Sequence, residues 1–84
     1  MFENQLVSQE DLVPGFQHIV VAAGYLGGRP AVLGRRISVD QILHWLGEGL
    51  SVEEIHDLYE LEPHIVREAL NFAAFQIEKL HVAG

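Results

Sequence analysis

The chain has 84 residues, 49% of them hydrophobic and none of them Cys, and 12 Asp plus Glu against 5 Lys plus Arg leave a formal net charge of −7. That length holds one domain, the apolar share excludes a disordered chain, and the lack of Cys excludes a disulfide framework or a thiolate metal site. A fold of this size buries only about 60% of the surface its unfolded chain exposes, so a partner or a second copy is a natural source of further burial.

Residues 1–15 are polar, end on the breaker pair Pro14-Gly15 and read as a flexible N-terminal arm ahead of a single domain over 16–84. They show no basic stretch followed by an apolar one, and the chain has no run of about 18 apolar residues, so no signal peptide and no membrane span are expected and the expected location is the cytoplasm. Residues 16–23 have a β-branched centre and read as a short strand. Residues 24–30 (GYLGGRP) are turn chemistry, Ala31-Val32-Leu33 is a second short apolar run, and Gly34 ends it. Together they predict a β-hairpin, which is marginal in water by itself and needs helices or another chain to pack on.

Three helices follow, near 39–47, 52–59 and 63–80. Ser38 with Gln41 and Ser51 with Glu54 fit capping boxes, and Glu62-Pro63 fits a start with Pro at the first helical position. Each start also has a candidate hydrophobic staple: Ile37 with Ile42, Leu50 with Ile55, and Leu61 with Val66. Gly47 and Gly49 close the first helix. The helical period places Val39, Ile42, Leu43 and Leu46 on one core face, then Val52, Ile55 and Tyr59, then Val66, Ala69, Leu70, Ala73, Ile77 and Leu80. Short links between the helices predict a mainly α, three-helix helix-turn-helix bundle preceded by the hairpin and the arm.

The third helix carries more apolar surface than that stripe explains. Stepping about 100° per residue, Ile65 and Phe72 fall to one side of it and Phe75 roughly opposite, among Arg67, Glu68, Asn71, Glu78 and Lys79. Ile65 and Phe72 are covered either by the arm and hairpin or by a partner, and Phe75 is expected at a partner surface. Charge is also uneven. Arg29, Arg35 and Arg36 form the only basic patch, whereas residues 51–70 hold six acids and one base. The arginines are either a phosphate clamp or salt-bridge partners of the acidic helices. With Arg67 and Asn71 at the leading exposed turns of the third helix they make up the nucleic-acid-binding candidates, but the acidic surroundings oppose phosphate. Glu53, Glu54 and Asp57 are either a partner-binding acidic face or simply solvated.

No catalytic constellation stands out, and no cofactor is expected. The five histidines are dispersed, Glu53-x-x-His56 is two ligands short of a metal site, and Ser38 and Ser51 are better used as caps than as nucleophiles.

Three segments carry a family resemblance. Residues 27–39 (GGRPAVLGRRISV), then Ile42-Leu43-His44-Trp45-Leu46 with Gly49-Leu50-Ser51 and Glu53-Glu54-Ile55, then Leu61-Glu62-Pro63, Ile65-Val66, Ala69-Leu70 and Phe72-Ala73, in that order, resemble the bacterial and archaeal family of domain of unknown function four-three-three, described as VapB-type antitoxin-like. The match covers about 18–77. It departs from the family pattern where Arg35 stands in place of the usual Thr, which adds a positive charge to the turn. The resemblance implies a homeodomain-like helical fold after a short β element and no enzymatic activity. It implies a cognate PIN-like toxin ribonuclease as the partner to be neutralised, and operator DNA through which the operon would be autoregulated. An acidic protein suits a basic RNA-binding partner, because carboxylates can occupy the positive groove meant for phosphates.

The leading expectation is therefore a non-enzymatic antitoxin-type interaction protein, a homodimer or higher oligomer, binding its toxin through Ile65, Phe72, Phe75, Glu53, Glu54 and Asp57. The alternative is a stand-alone dimeric helix-turn-helix transcription regulator using Arg29, Arg35, Arg36, Arg67 and Asn71. A small structural or scaffold protein is a third reading that the residues leave open.

Overall fold

The structure, a computed structural model, describes residues 7–80. Three two-residue strands, β1 (Ile19–Val20), β2 (Ala31–Val32) and β3 (Ile37–Ser38), form an antiparallel sheet in that order, and α1 (Val39–Gly47), α2 (Val52–Tyr59) and α3 (Pro63–Lys79) follow. The helices match the sequence expectation within a residue. The hairpin is shorter than expected and gains a third strand, because the turn at 33–36 brings Ile37 opposite Val32 and Ser38 opposite Ala31. Among the described residues no helix is long and apolar enough to cross a membrane.

The caps explain the helix starts. Ser38 Oγ accepts the Gln41 N–H at 3.1 Å. At Ser51 the capping box is complete: Ser51 Oγ accepts the Glu54 N–H at 3.0 Å and Glu54 Oε1 accepts the Ser51 N–H at 2.8 Å. Pro63 opens α3 where its missing N–H costs nothing. α2 stops because Glu60 turns into the left-handed region, its N–H still bonded to the His56 carbonyl at 2.8 Å.

The sheet has two apolar faces. In the β1–β2 register Ile19 lies opposite Val32, and both point to the helices. There they join Val39, Ile42, Ile55, Leu61, Ile65, Val66, Ala69 and Phe72 in the main core. Val20 lies opposite Ala31, and both point the other way, packing with buried Tyr25. This is the period-two alternation of a strand buried on both sides.

The second face is covered by the segment expected to be a loose arm. Residues 9–11 form a turn of 3-10 helix that starts with a capping box between Ser8 and Asp11. Leu12 bridges Val20 in the antiparallel sense, the Val13 N–H bonds to the Ile19 carbonyl at 2.8 Å, and Val7 and Leu12 pack on the Val20–Tyr25–Ala31 cluster. Residues 1–6 of the expected arm lie outside the described residues.

Candidate functional site

On α3 the structure corrects the assignment of faces. Ile65 and Phe72, expected as partner-binding residues, are 7% and 3% exposed and belong to the protein's own core. The reason is the phase of the helix. Ile65, Val66, Ala69 and Phe72 occupy one sector, turned by roughly 50° from the stripe read off the sequence, counting about 100° per residue. Leu70, Ile77 and Leu80, expected inside, are consequently left outside, the last two 66% and 78% exposed. With Ala73 and Gln76, Ile77 walls a small apolar groove between α3 and α1, completed by Pro30, Val39, Asp40, Leu43 and Phe72, of about 260 Å³.

Phe75 stands between the two cases. It is 41% exposed, with Phe16 at 5.9 Å between ring centroids and the Lys79 ammonium 5.1 Å above its ring. Phe16 also meets Phe72 edge-on at 5.2 Å, so the arm–strand junction seals Phe72 and only half covers Phe75. Glu53, Glu54 and Asp57 are all exposed on α2. Glu54 is engaged in the Ser51 cap, and His56 lies 3.6 Å from Asp57. Among the described residues no group of three His, Asp or Glu is placed to hold a metal ion.

A buried-edge clasp ties α3 to β1. Glu68 Oε1 meets His18 Nδ1 at 2.5 Å, and Glu68 Oε2 accepts the backbone N–H groups of Gln17 and His18. Partial burial pushes the Glu68 carboxyl up, but the His18 ring bond and the two backbone donors outweigh it and hold the carboxyl below its ordinary value. His64 packs edge-on against His18 at 5.3 Å.

The three arginines of the basic patch come together round one open cleft of about 680 Å³, between the 26–29 turn, the β2–β3 turn, α1 and the end of α2. Their roles differ. Arg35 Nη2 donates to the carbonyls of Tyr59 and Glu60 at 3.1 and 2.7 Å, and its Nη1 lies 3.5 Å from Glu62. It therefore neutralises the carbonyl end of α2, as a cation at a helix C-terminus should. Arg29 reaches Asp40 at 3.5 Å across an exposed gap. Arg36 has no carboxylate partner among the described residues; its guanidinium lies 6.0 Å from the Tyr25 ring centroid, and its backbone N–H donates to the Tyr25 hydroxyl at 3.0 Å. Of the two readings left open for the patch, the salt-bridge one describes Arg35 and Arg29, and Arg36 stays outside it. Arg67 and Asn71 are exposed on α3 and are not among the residues that line the cleft.

The cleft also holds what the sequence reading missed. Trp45 of α1 and Tyr59 of α2 stack at 3.9 Å with 8° between their planes and form one wall. Gln41, exposed in the first turn of α1, also lines the cleft. The only signal in the sequence was two aromatics on adjacent helices, and helical phase alone does not say that they meet. The left-handed backbone is concentrated here too. The three non-glycine residues with positive φ among the described residues are Leu26, Arg36 and Glu60. The first two line the cleft, and the third presents the carbonyl that Arg35 holds. Each costs about 1–2 kcal/mol relative to ordinary helical or extended backbone, and such strain persists only where the surroundings impose it.

A family model described as protein of unknown function (DUF433) matches residues 19–73, about two thirds of the chain, from β1 through most of α3. Neither the curated proteins nor the solved structures contain a significant match to the sequence.

Proposed function

The chain belongs to the DUF433 family, and from that premise we propose that it is a non-enzymatic interaction protein of antitoxin type, which binds and neutralises a PIN-like toxin ribonuclease. The observation that carries this reading is the apolar ridge of Leu70, Ile77 and Leu80 on α3, exposed beside the α1–α3 groove. Contiguous apolar surface of this kind marks partner contact more often than chance exposure. Phe75, 41% exposed, is a separate apolar contact on the far side of α3, and Glu53, Glu54 and Asp57 supply the negative charge that a basic, RNA-binding groove would attract. In the absence of the toxin the same ridge would pair with a second copy, giving a homodimer.

The test is co-expression of the tagged chain with the product of the adjacent gene, followed by size-exclusion chromatography with light scattering. A complex of defined stoichiometry is expected, and it should be lost in the L70D/I77D double variant while the helical circular dichroism is kept. No complex, or a complex indifferent to both substitutions, overturns the reading.

A second reading, a dimeric helix-turn-helix regulator of homeodomain-like arrangement, is favoured by Arg67 and Asn71, both exposed on α3. It requires binding to the chain's own promoter that falls steeply between 50 and 200 mM salt, on the order of 10³-fold for six phosphate contacts.

A further inference from the structure

We propose that the cleft bounded by Arg29, Arg36, Gln41, Trp45 and Tyr59 is a binding site for a free nucleoside monophosphate. Its volume of about 680 Å³ falls within the roughly 300–1,000 Å³ of small-molecule sites. It combines the two chemistries such a ligand presents. Arg36, with no carboxylate partner among the described residues, and Arg29, whose exposed 3.5 Å contact with Asp40 a phosphate would have to displace, stand at the turn side and supply the charge for a phosphate dianion. Trp45 and Tyr59 already stack on each other, and a base can continue that stack on an outer ring face of the pair. Gln41 carries an amide that both donates and accepts, so it can meet a base edge.

The remaining features keep that arrangement rigid. Arg35 fixes the main chain at Tyr59 and Glu60 and so is a positioning residue for the aromatic wall. Tyr25, buried, fixes the backbone of Arg36 through its hydroxyl. The left-handed conformations of Leu26 and Arg36 fall on the lining itself. The site shares no lining residue with the α1–α3 groove, so it stands or falls separately from the toxin-binding reading.

The size of the ligand follows from charge. The chain carries −7 overall, and residues 51–70 carry six acids and one base. A single phosphate can reach two arginines, but a polyanionic strand would have to run past those carboxylates. The site is therefore assigned to a mononucleotide and not to a stretch of nucleic acid.

Trp45 is the chain's only tryptophan, so its fluorescence reports the cleft directly. The experiment titrates the full chain with AMP, GMP, CMP and UMP, excited at the red edge of the indole band and checked by calorimetry. Parallel titrations use adenosine, inorganic phosphate and a ten-nucleotide single strand. At least one nucleotide should give saturable quenching at low salt, with affinity at least tenfold above that for adenosine or for phosphate. R36Q, and separately R29Q, should weaken it about tenfold, whereas K79Q, with the same charge change on an exposed part of α3, should leave it unchanged. The assignment is overturned by no saturable change with any nucleotide, by equal binding of adenosine, by tighter binding of the strand than of the mononucleotides, or by an equal effect of K79Q in a folded protein.

Discussion

Replacing Phe72 by alanine tests whether α3 faces the core in the phase described. Phe72 is 3% exposed, sits in the cluster with Ile42, Ile55 and Val66, and meets Phe16 edge-on at 5.2 Å. Truncating a buried Phe costs about 3–5 kcal/mol through lost transfer free energy and the cavity left behind. An 84-residue domain has about 4–13 kcal/mol in all, so this one change removes a large part of its stability. At about 4–8 °C per kcal/mol for a domain of this size, the melting temperature should fall by more than 12 °C. Ile77→Ala is the matched comparison. Ile77 is 66% exposed, and its truncation should change stability by less than about 0.5 kcal/mol. Urea denaturation followed at 222 nm measures both. Equal destabilisation by the two variants, or a cost below about 1 kcal/mol for Phe72→Ala, would put the stripe through Leu70 and Ile77 inside and refute the reasoning.

Two further outcomes are expected. Because the Glu68 carboxyl titrates below its ordinary value of 4.5 in the folded chain, its stabilising contribution is complete above that pH and is lost as the pH falls through the folded value. Stability measured from pH 6 down to pH 3 should therefore drop more steeply for wild type than for Glu68→Gln, and superimposable profiles would show that the clasp to Gln17 and His18 contributes nothing. Ser51→Ala removes the Oγ that accepts the Glu54 N–H, leaving the Ser51 N–H to Glu54 Oε1 half of the box in place, and should cost about 1 kcal/mol in stability, read from the urea midpoint with the slope of the transition unchanged; no shift would mean that the α2 start is held by the Glu54 half and by packing of Leu50 and Ile55.

The helices were legible because their signals are local. Ser51 and Glu54, or Glu62 and Pro63, settle a helix start from four residues, and all three starts fall where those residues put them. The family was legible for a related reason: its three motifs lie on these starts and on the Gly-rich turn ahead of them. The face of α3 was not legible. It carries apolar residues at Ile65, Val66, Ala69, Leu70, Phe72, Ala73, Phe75 and Ile77, more than one sector can bury, and the choice among them is made by Phe16 and β1, far away in sequence. The third strand was missed because two residues, Ile37 and Ser38, carry no periodicity, and Ser38 was already spoken for as a helix cap. The role of Arg35 depended on the left-handed turn at Glu60, whose carbonyl it bonds, and nothing in the local sequence required a non-glycine residue to turn there.

The Glu68 clasp spans 50 and 51 positions to reach the backbone of His18 and Gln17. On a ribosome adding roughly 5–20 residues per second, the strand exists for several seconds before the carboxylate that fastens it has been made. β2 and β3 can pair with it early, but the core that takes in Ile19 and Val32 is complete only when α3 joins the residues of α1 and α2. Vectorial synthesis thus delivers β1 well before the residue that latches it, and the clasp can close only once all three helix starts have been made.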